Sequence, residues 1–349
     1  MINVIKLRLR DKHSGGLNKK ARAVNYVWNY CNETQQKAVR SQRKWLNKYD
    51  LQKLTAGSSK ELGLHAHTVQ QVCHKYDDSR KTHKKAWLKW RGKKTLGWVP
   101  FNQGHVKKLD DCTYKFNGVV YQTMHDRELP EGAVIRAGSF NQDAKGHWYL
   151  NIPVEVETES KVAPGKSVGI DLGLKELATL SDGQVVENPR HVKRLAEKLA
   201  IAQRAGKNKQ ARNIHAKIKN ARADHLHKAS AAIASTYSTI VVGDVSSSKL
   251  TQTKMAKSVL DAGWSSFKNM LRYKSIRNGG VMIEANEYLS TQTCSACGCL
   301  PESRPRGIAG LGIREWTCTD CGTTHDRDVN AAKNILRTGL STLAEGASK

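Results

Sequence analysis

Four cysteines in two pairs, Cys294-x-x-Cys297 and Cys318-x-x-Cys321, carry the sharpest chemical signal in this 349-residue sequence. A two-residue gap lets both sulfurs of a knuckle turn inward, and two knuckles complete a tetrahedral thiolate site of the kind zinc takes. The 20 residues between the pairs suit a ribbon that folds back on itself. Four protein ligands leave no open coordination position, so the predicted zinc is structural and not hydrolytic. Gly298 and Gly322 follow the two knuckles, where a residue without a Cβ eases the tight turn. Cys31, Cys73, Cys112 and Cys299 have no comparable partners, and Cys299 stands too close to Cys297 to extend the knuckle. That distribution argues for metal ligation over a disulfide framework and for a reducing, intracellular setting.

Two carboxylates form a second candidate centre. Asp171 lies in the apolar stretch SVGIDLGL, where a charge is costly unless it is paired, hydrogen-bonded or metal-bound. Asp328 opens a helical pattern in HDRDVNAA, soon after the second knuckle. Alone, Asp328 reads equally as an acid offsetting the helix dipole, and Asp171 as a strand-end cap. Brought together, two such groups would hold divalent cations through oxygen ligands, as phosphoryl-transfer chemistry requires.

The elements that must position these groups follow from periodicity. Residues 4–10 alternate as a strand, and 18–86 turn helical around Val24, Val27 and Cys31. In 84–101, Trp87, Trp90 and Trp98 are interspersed with cations, which suits either base stacking beside phosphates or a core beneath basic strands. Residues 103–157 return to short strands, and ESKVAPGKS marks a boundary. Beyond it come two strands separated by a turn, and a basic helical stretch from Arg190 to Lys228 with 12 Lys/Arg against Glu197 and Asp224. The strand STIVVGDV, a helix over 254–275, the strand GGVMIEAN and a final helix over Val329–Arg337 complete an α/β order.

Composition points to the partner. Lys and Arg number 58 against 31 Asp and Glu, a formal charge of +27, which opposes compaction unless a polyanion neutralises it. Nucleic acid answers that need through counterion release. The cations are spread over the chain and not gathered on one amphipathic anchor, and no apolar run reaches 18 residues, so no membrane role is expected.

The blocks GIDLGLKELATLSDG, IVVGDVSSSKL, TQTCSACG and CTDCGTTHDRDVNAAKNIL, with LNKKARAVNYVWNYCNET near the N-terminus and, more weakly, LGWVPF, resemble those of the TnpB (OrfB) family. Those proteins are transposon-encoded nucleases related to type V CRISPR effectors and Fanzors. The resemblance implies a multidomain α+β chain. A β-rich wedge domain would take residues 1–10 and 101–160, and a helical recognition insertion 11–100. An RNase H-like (RuvC) α/β nuclease domain would take 161–337, with a basic helical segment at 189–235 and a zinc ribbon at 290–324; 338–349 would form a tail. It implies a guide RNA from the transposon end, a target double-stranded DNA read beside a short flanking motif, and magnesium, as two ions, at the catalytic acids. Cytoplasm or nucleoid of a prokaryote would be the setting. Monomer and dimer both stay open.

The family's acidic triad is Asp, Glu, Asp. Asp171 matches the first and Asp328 the last, but Gly243 stands where the Glu is expected, in Val242-Gly243-Asp244-Val245. Three readings compete. Asp244 could serve, although a one-residue shift along a strand turns a side chain to the other face. The chain could be a nuclease-inactive RNA-guided DNA-binding regulator, although both aspartates are retained. A carboxylate from the next strand could complete the set, as in Fanzors and some TnpB branches. There Glu287 ends an apolar row with Ile283 and Ala285, whereas Glu284 shares a more polar row with Met282 and Asn286. The expected catalytic and magnesium-binding set is therefore Asp171, Glu287 and Asp328, with Glu284 and Asp244 as alternatives to Glu287.

Overall fold

The computed structural model describes residues 2–42, 44–129, 134–155, 165–245, 250, 252–307 and 309–347. The chain divides into two compact units, Met1–Glu157 and Thr158–Lys349. The boundary expected at ESKVAPGKS lies largely outside the described residues. No helix among the described residues is long and apolar enough to cross a membrane.

The first unit opens with β1 (Ile2–Arg8) and the helices α1 (Ser14–Gln42), α2 (Lys48–Leu54), α3 (Ser58–Glu61) and α4 (Ala66–Thr82). The strands β2 (Trp98–Phe101), β3 (Val106–Asp110), β4 (Thr113–Phe116), β5 (Val119–Gln122), β6 (Val134–Ile135), β7 (Gly138–Gln142) and β8 (Trp148–Glu155) follow. A sheet of order β1-β8-β7-β2, with β6 also on β8, stands beside a β3-β4-β5 meander. Alternation builds it: Trp148, Leu150, Ile152 and Val154 of β8 are buried, as are Ile5 and Leu7 of β1. Leu17, Ala21, Val24, Trp28 and Cys31 recur at helical spacing along the buried face of α1.

The helical stretch read over 18–86 is thus several helices. Asn47 caps α2 through a capping box with Asp50, which starts a new helix after α1 ends at Gln42. The tryptophans divide between both readings. Trp98 packs on the core, with the Arg91 guanidinium 5.0 Å from its ring centroid and 3.8 Å from that of Trp28. Trp87 and Trp90 stay exposed. The irregular segment carrying them is held by side-chain amides of α1. Asn29 exchanges two 2.8 Å bonds with the Arg91 backbone, and Asn32 exchanges bonds of 2.9 and 2.8 Å with that of Leu88.

The second unit contains β9 (Ser167–Leu172), β10 (Glu176–Leu180), β11 (Val185–Glu187), α5 (His191–Arg204), α6 (Asn208–Thr236) and β12 (Thr239–Gly243). After these come α7 (Ala256–Ala262), α8 (Trp264–Arg277), β13 (Val281–Ala285), β14 (Glu315–Thr317), β15 (Thr324–Asp326) and α9 (Arg327–Ala347). Its five-stranded sheet has the order β11-β10-β9-β12-β13. β9, β10 and β11 form an antiparallel meander, while β12 runs parallel to β9 and β13 parallel to β12. Strands buried on both faces read as apolar runs, as Ile240, Val241 and Val242 do.

Helix boundaries depart from expectation where glycine intervenes. The basic stretch is two helices parted at Gly206, and the helix expected over 254–275 breaks at Gly263, both glycines having positive φ. The last helix, expected over 329–337 with a tail at 338–349, starts at Arg327 and continues through Ala347. Gly169 lets α9 approach β9 closely. A Cβ there would stand 2.0 Å from the Ala332 carbonyl oxygen.

Candidate active site

Register places the acidic residues. On β9, Asp171 lies one step beyond the pair Ile170–Val242, so its neighbour across β12 is Gly243, and Gly243 pairs in turn with Ala285 of β13. Residues in register on parallel strands share a face, as do residues two apart on one strand. Gly169, Asp171, Gly243, Ala285 and, just past the end of β13, Glu287 therefore fall on one side of the sheet. This is the side on which α9 packs at Gly169, bringing Asp328 in its first turn over the sheet. Asp326, unnoticed in the sequence, caps that helix by accepting from Asp328 N and Val329 N at 3.0 and 2.9 Å. The capping task is thereby taken from Asp328.

Asp171, Glu287 and Asp328 line one cleft of about 480 Å³ together with Arg314 and Arg327. Burial, and then the charges of Asp328 and Glu287, push the Asp171 carboxyl up to about 7. Arg327 and Arg314 act in the opposite direction. The Glu287 carboxyl is raised as well, by burial and then by the charge of Asp244. A buried carboxylate raised by two acids of the same cleft marks a site short of positive charge, which a divalent cation with oxygen ligands would supply.

The two alternatives to Glu287 are engaged elsewhere. Glu284 projects to the opposite face, where Lys268 of α8 donates to it at 2.9 Å and Arg272 also pairs with it. Those cations hold its carboxyl below the usual range despite partial burial. Asp244 is exposed, and its Oδ1 accepts from Glu287 N at 3.3 Å. It supports the backbone of Glu287 and does not line the cleft. Gly243 has a direct bearing on Glu287: a Cβ built on it would lie 2.8 Å from Glu287 Oε2. The carboxylate of Glu287 thus folds back over the position where the family's glutamate was expected.

The cysteines converge. The sulfurs of Cys294, Cys297, Cys318 and Cys321 all lie within 4.8 Å of one another, the one such cluster of possible metal ligands among the described residues. Cys294 and Cys321 are 3.7 Å apart and Cys297 and Cys318 3.8 Å, close to the ~3.8 Å edge of a tetrahedron with ~2.3 Å metal–sulfur bonds. The knuckles repeat one backbone pattern. Gly298 N donates to Cys294 O and Gly322 N to Cys318 O, while Cys294 N donates to Cys299 O and Cys318 N to Thr323 O. Both glycines have positive φ, as the turn requires. His325 was missed by sequence reasoning, and its Nε2 lies 3.0 Å from Cys294 Sγ, as in a hydrogen bond that supports a thiolate ligand.

Two further residues tie ribbon to cleft. Asn330 and Asn334, one turn apart on α9 and both buried, each donate to the carbonyls of Ser290 and Thr293. Asn330 also accepts from Ser295 N at 2.8 Å. The spacing N-x-x-x-N in VNAAKN was the available signal.

Residues 151–254 match the family model OrfB_IS605, described as "Probable transposase", and residues 264–335 match the model "Cas12f1-like, TNB domain". The chain is 37% identical over 234 residues to a "Putative RNA-guided DNA endonuclease" of Streptomyces pristinaespiralis, covering 63% of this chain and 57% of that protein. It is 33% identical over 231 residues to "Putative RNA-guided DNA endonuclease InsQ" of Escherichia coli (strain K12), covering 58% and 56%. The matched portion is thus just over half the length of those relatives. In fold it resembles the Cas12f1 chain of a Cas12f1-sgRNA-target DNA complex, with a TM-score of 0.60 at 13% identity over 93% of this chain and 83% of that one. The acidic cleft and the cysteine ribbon thus lie in the parts of the chain that match the OrfB_IS605 and Cas12f1-like TNB models.

Proposed function

We propose that the chain is an RNA-guided DNA endonuclease whose cleft hydrolyses phosphodiester bonds with Asp171, Glu287 and Asp328. The observation that carries this reading is the convergence of three carboxylates on one cleft, where burial and the two neighbouring acids push the Asp171 carboxyl up to about 7. A sheet with three antiparallel strands followed by two parallel ones, covered by the helix that bears the last acid, supports an RNase H-like, RuvC-type domain. Magnesium fits the donor set, three carboxylates with no thiol or imidazole among them. Bound there, it would supply an activated water and neutralise the leaving oxygen. The chain's own part is to hold three carboxylates against their mutual repulsion. Asp171 is fixed in a strand, Asp328 in a capped helix turn, and Glu287 rests against Gly243. Zinc fits the four thiols and would be structural.

The relatives' names and the charge of +27 support an RNA guide, whose pairing would read the target while distributed cations hold the heteroduplex by its phosphates. The basic α5 and α6, and the exposed Trp87 and Trp90 among cations, suit that contact. The test is plasmid cleavage by the guide-loaded protein in magnesium. Glu287→Gln should abolish cleavage while sparing RNA and DNA binding, and Glu284→Gln should keep cleavage. Wild-type binding without any cleavage would instead identify a nuclease-inactive regulator.

A further inference from the structure

Arg314 stands just before β14, and its carbonyl accepts a 2.7 Å hydrogen bond from Arg327 N, one step beyond the Glu315–Asp326 pair of the ribbon hairpin. That extra rung fixes the Arg314 backbone beside the first turn of α9. From there its Nη1 donates to Asp328 Oδ2 at 2.7 Å. The pair is open to the cleft, with side chains 46% and 27% exposed, and the Arg314 charge also lowers the Asp171 carboxyl. So one of the three carboxylates of the cleft is already paired with a guanidinium. An ion pair this exposed is weak and easily exchanged. The guanidinium fork suits a carboxylate and a phosphate equally well.

We propose that Arg314 is an exchangeable counter-ion of the cleft. It neutralises Asp328 while no divalent cation is bound, and when a cation takes that carboxylate the guanidinium passes to the phosphodiester of the bound strand. The backbone rung to Arg327 keeps Arg314 at the cleft, beside the first turn of α9, where a bound strand would present its phosphates. Only this second half rests on the nuclease reading. Arg314 is then a competitor of the cation at Asp328 and a contact of the substrate.

The experiment separates the halves. Mn²⁺ alone is titrated into the full-length, RNA-free protein and followed by the paramagnetic signal of the free ion. An Asp171→Asn, Glu287→Gln double variant serves to subtract binding elsewhere. Arg314→Ala should bind Mn²⁺ about threefold to fivefold more tightly than wild type, the competition expected of a partly exposed ion pair. Arg314→Lys, which keeps a charge but loses the fork, should fall between, and melting curves of both variants verify folding. Unchanged or weaker binding would overturn the exchange. In the guide-loaded protein Arg314→Ala should cut about tenfold more slowly or worse, as for loss of an oriented charge on the reacting group. A merely structural role would lower cation affinity and cleavage together; tighter Mn²⁺ with slower cleavage is the signature of exchange. Undiminished cleavage would overturn the phosphate half. A wild type that shows the Mn²⁺ competition but never cleaves would sink the nuclease reading and leave the exchange standing.

Discussion

Replacing Gly243 by Ala should cost activity far more than stability. The added Cβ would fall 2.8 Å from Glu287 Oε2 and 3.2 Å from Ile335 Cδ1, where ordinary contact begins at 3.4 Å. The nearer clash is with the free end of a flexible side chain, so Glu287 yields. Its carboxylate must withdraw by about 0.6 Å, and since a ~1 Å misplacement costs on the order of a hundredfold in rate, cleavage should fall about tenfold to thirtyfold. The fold has little to lose. Gly243 sits in a strand without a positive φ, and alanine there reduces the freedom of the unfolded chain, an effect worth about 0.4–1 kcal/mol in favour of the variant. Plasmid cleavage beside urea melts makes the comparison. A Gly243→Ala protein that cuts like wild type would show that Glu287 does not act from its observed position. One that melts far below wild type would show that the strand, and not the carboxylate, needs the glycine. The double variant Gly243→Glu, Glu287→Gly should regain part of the activity lost by Glu287→Gly alone, because a carboxylate then reaches the same volume from β12.

In the cation-free protein, folding raises the Asp171 carboxyl to about 7, so the stability from that group is full below the ordinary carboxylate value of ~4 and is lost as pH rises through about 7. The melting temperature should fall across that window, less so in Asp171→Asn, and an equal slope in the variant would contradict the assignment. Removal of zinc by a chelator, or Cys318→Ser, should release the metal and impair cleavage by loosening the hairpin that carries Arg314 and adjoins α9. Metal analysis with a cleavage assay tests this, and full activity in a verified zinc-free protein would refute it.

Much of the candidate site was legible in the sequence because its signals are short-range. Two knuckles, one carboxylate in an apolar strand and one at a helix start can be recognised within ten residues. The period of two along β13 placed Glu287 and Glu284 on opposite faces, and the Lys268 and Arg272 pairs of Glu284 give that division its physical content. What could not be read came from contacts distant in sequence. Asn334 finds its partners 41 and 44 residues away, and the Arg314–Asp328 pair depends on a hairpin register that no local pattern specifies. Helix breaks at Asn47, Gly206 and Gly263 were hidden within helical periodicity, because a cap or a single positive-φ glycine interrupts the backbone without interrupting the pattern of apolar residues.

The ribbon lies in sequence between Glu287 and Asp328, and the hydrogen bonds explain how an insertion there can tighten the site. Its entry segment at Ser290 and Thr293 is clamped to α9 by Asn330 and Asn334, so the loop that carries Glu287 cannot shift without the helix that carries Asp328. Its exit is the hairpin whose last rung joins Arg314 to Arg327 at the start of the same helix. A metal joining the two knuckles would close a loop whose both ends already grip α9. Closing that loop restricts the relative motion of two carboxylates that repel each other, and such groups need mechanical restraint most. A structural metal that takes no part in hydrolysis would in this way help to set the distance on which hydrolysis depends.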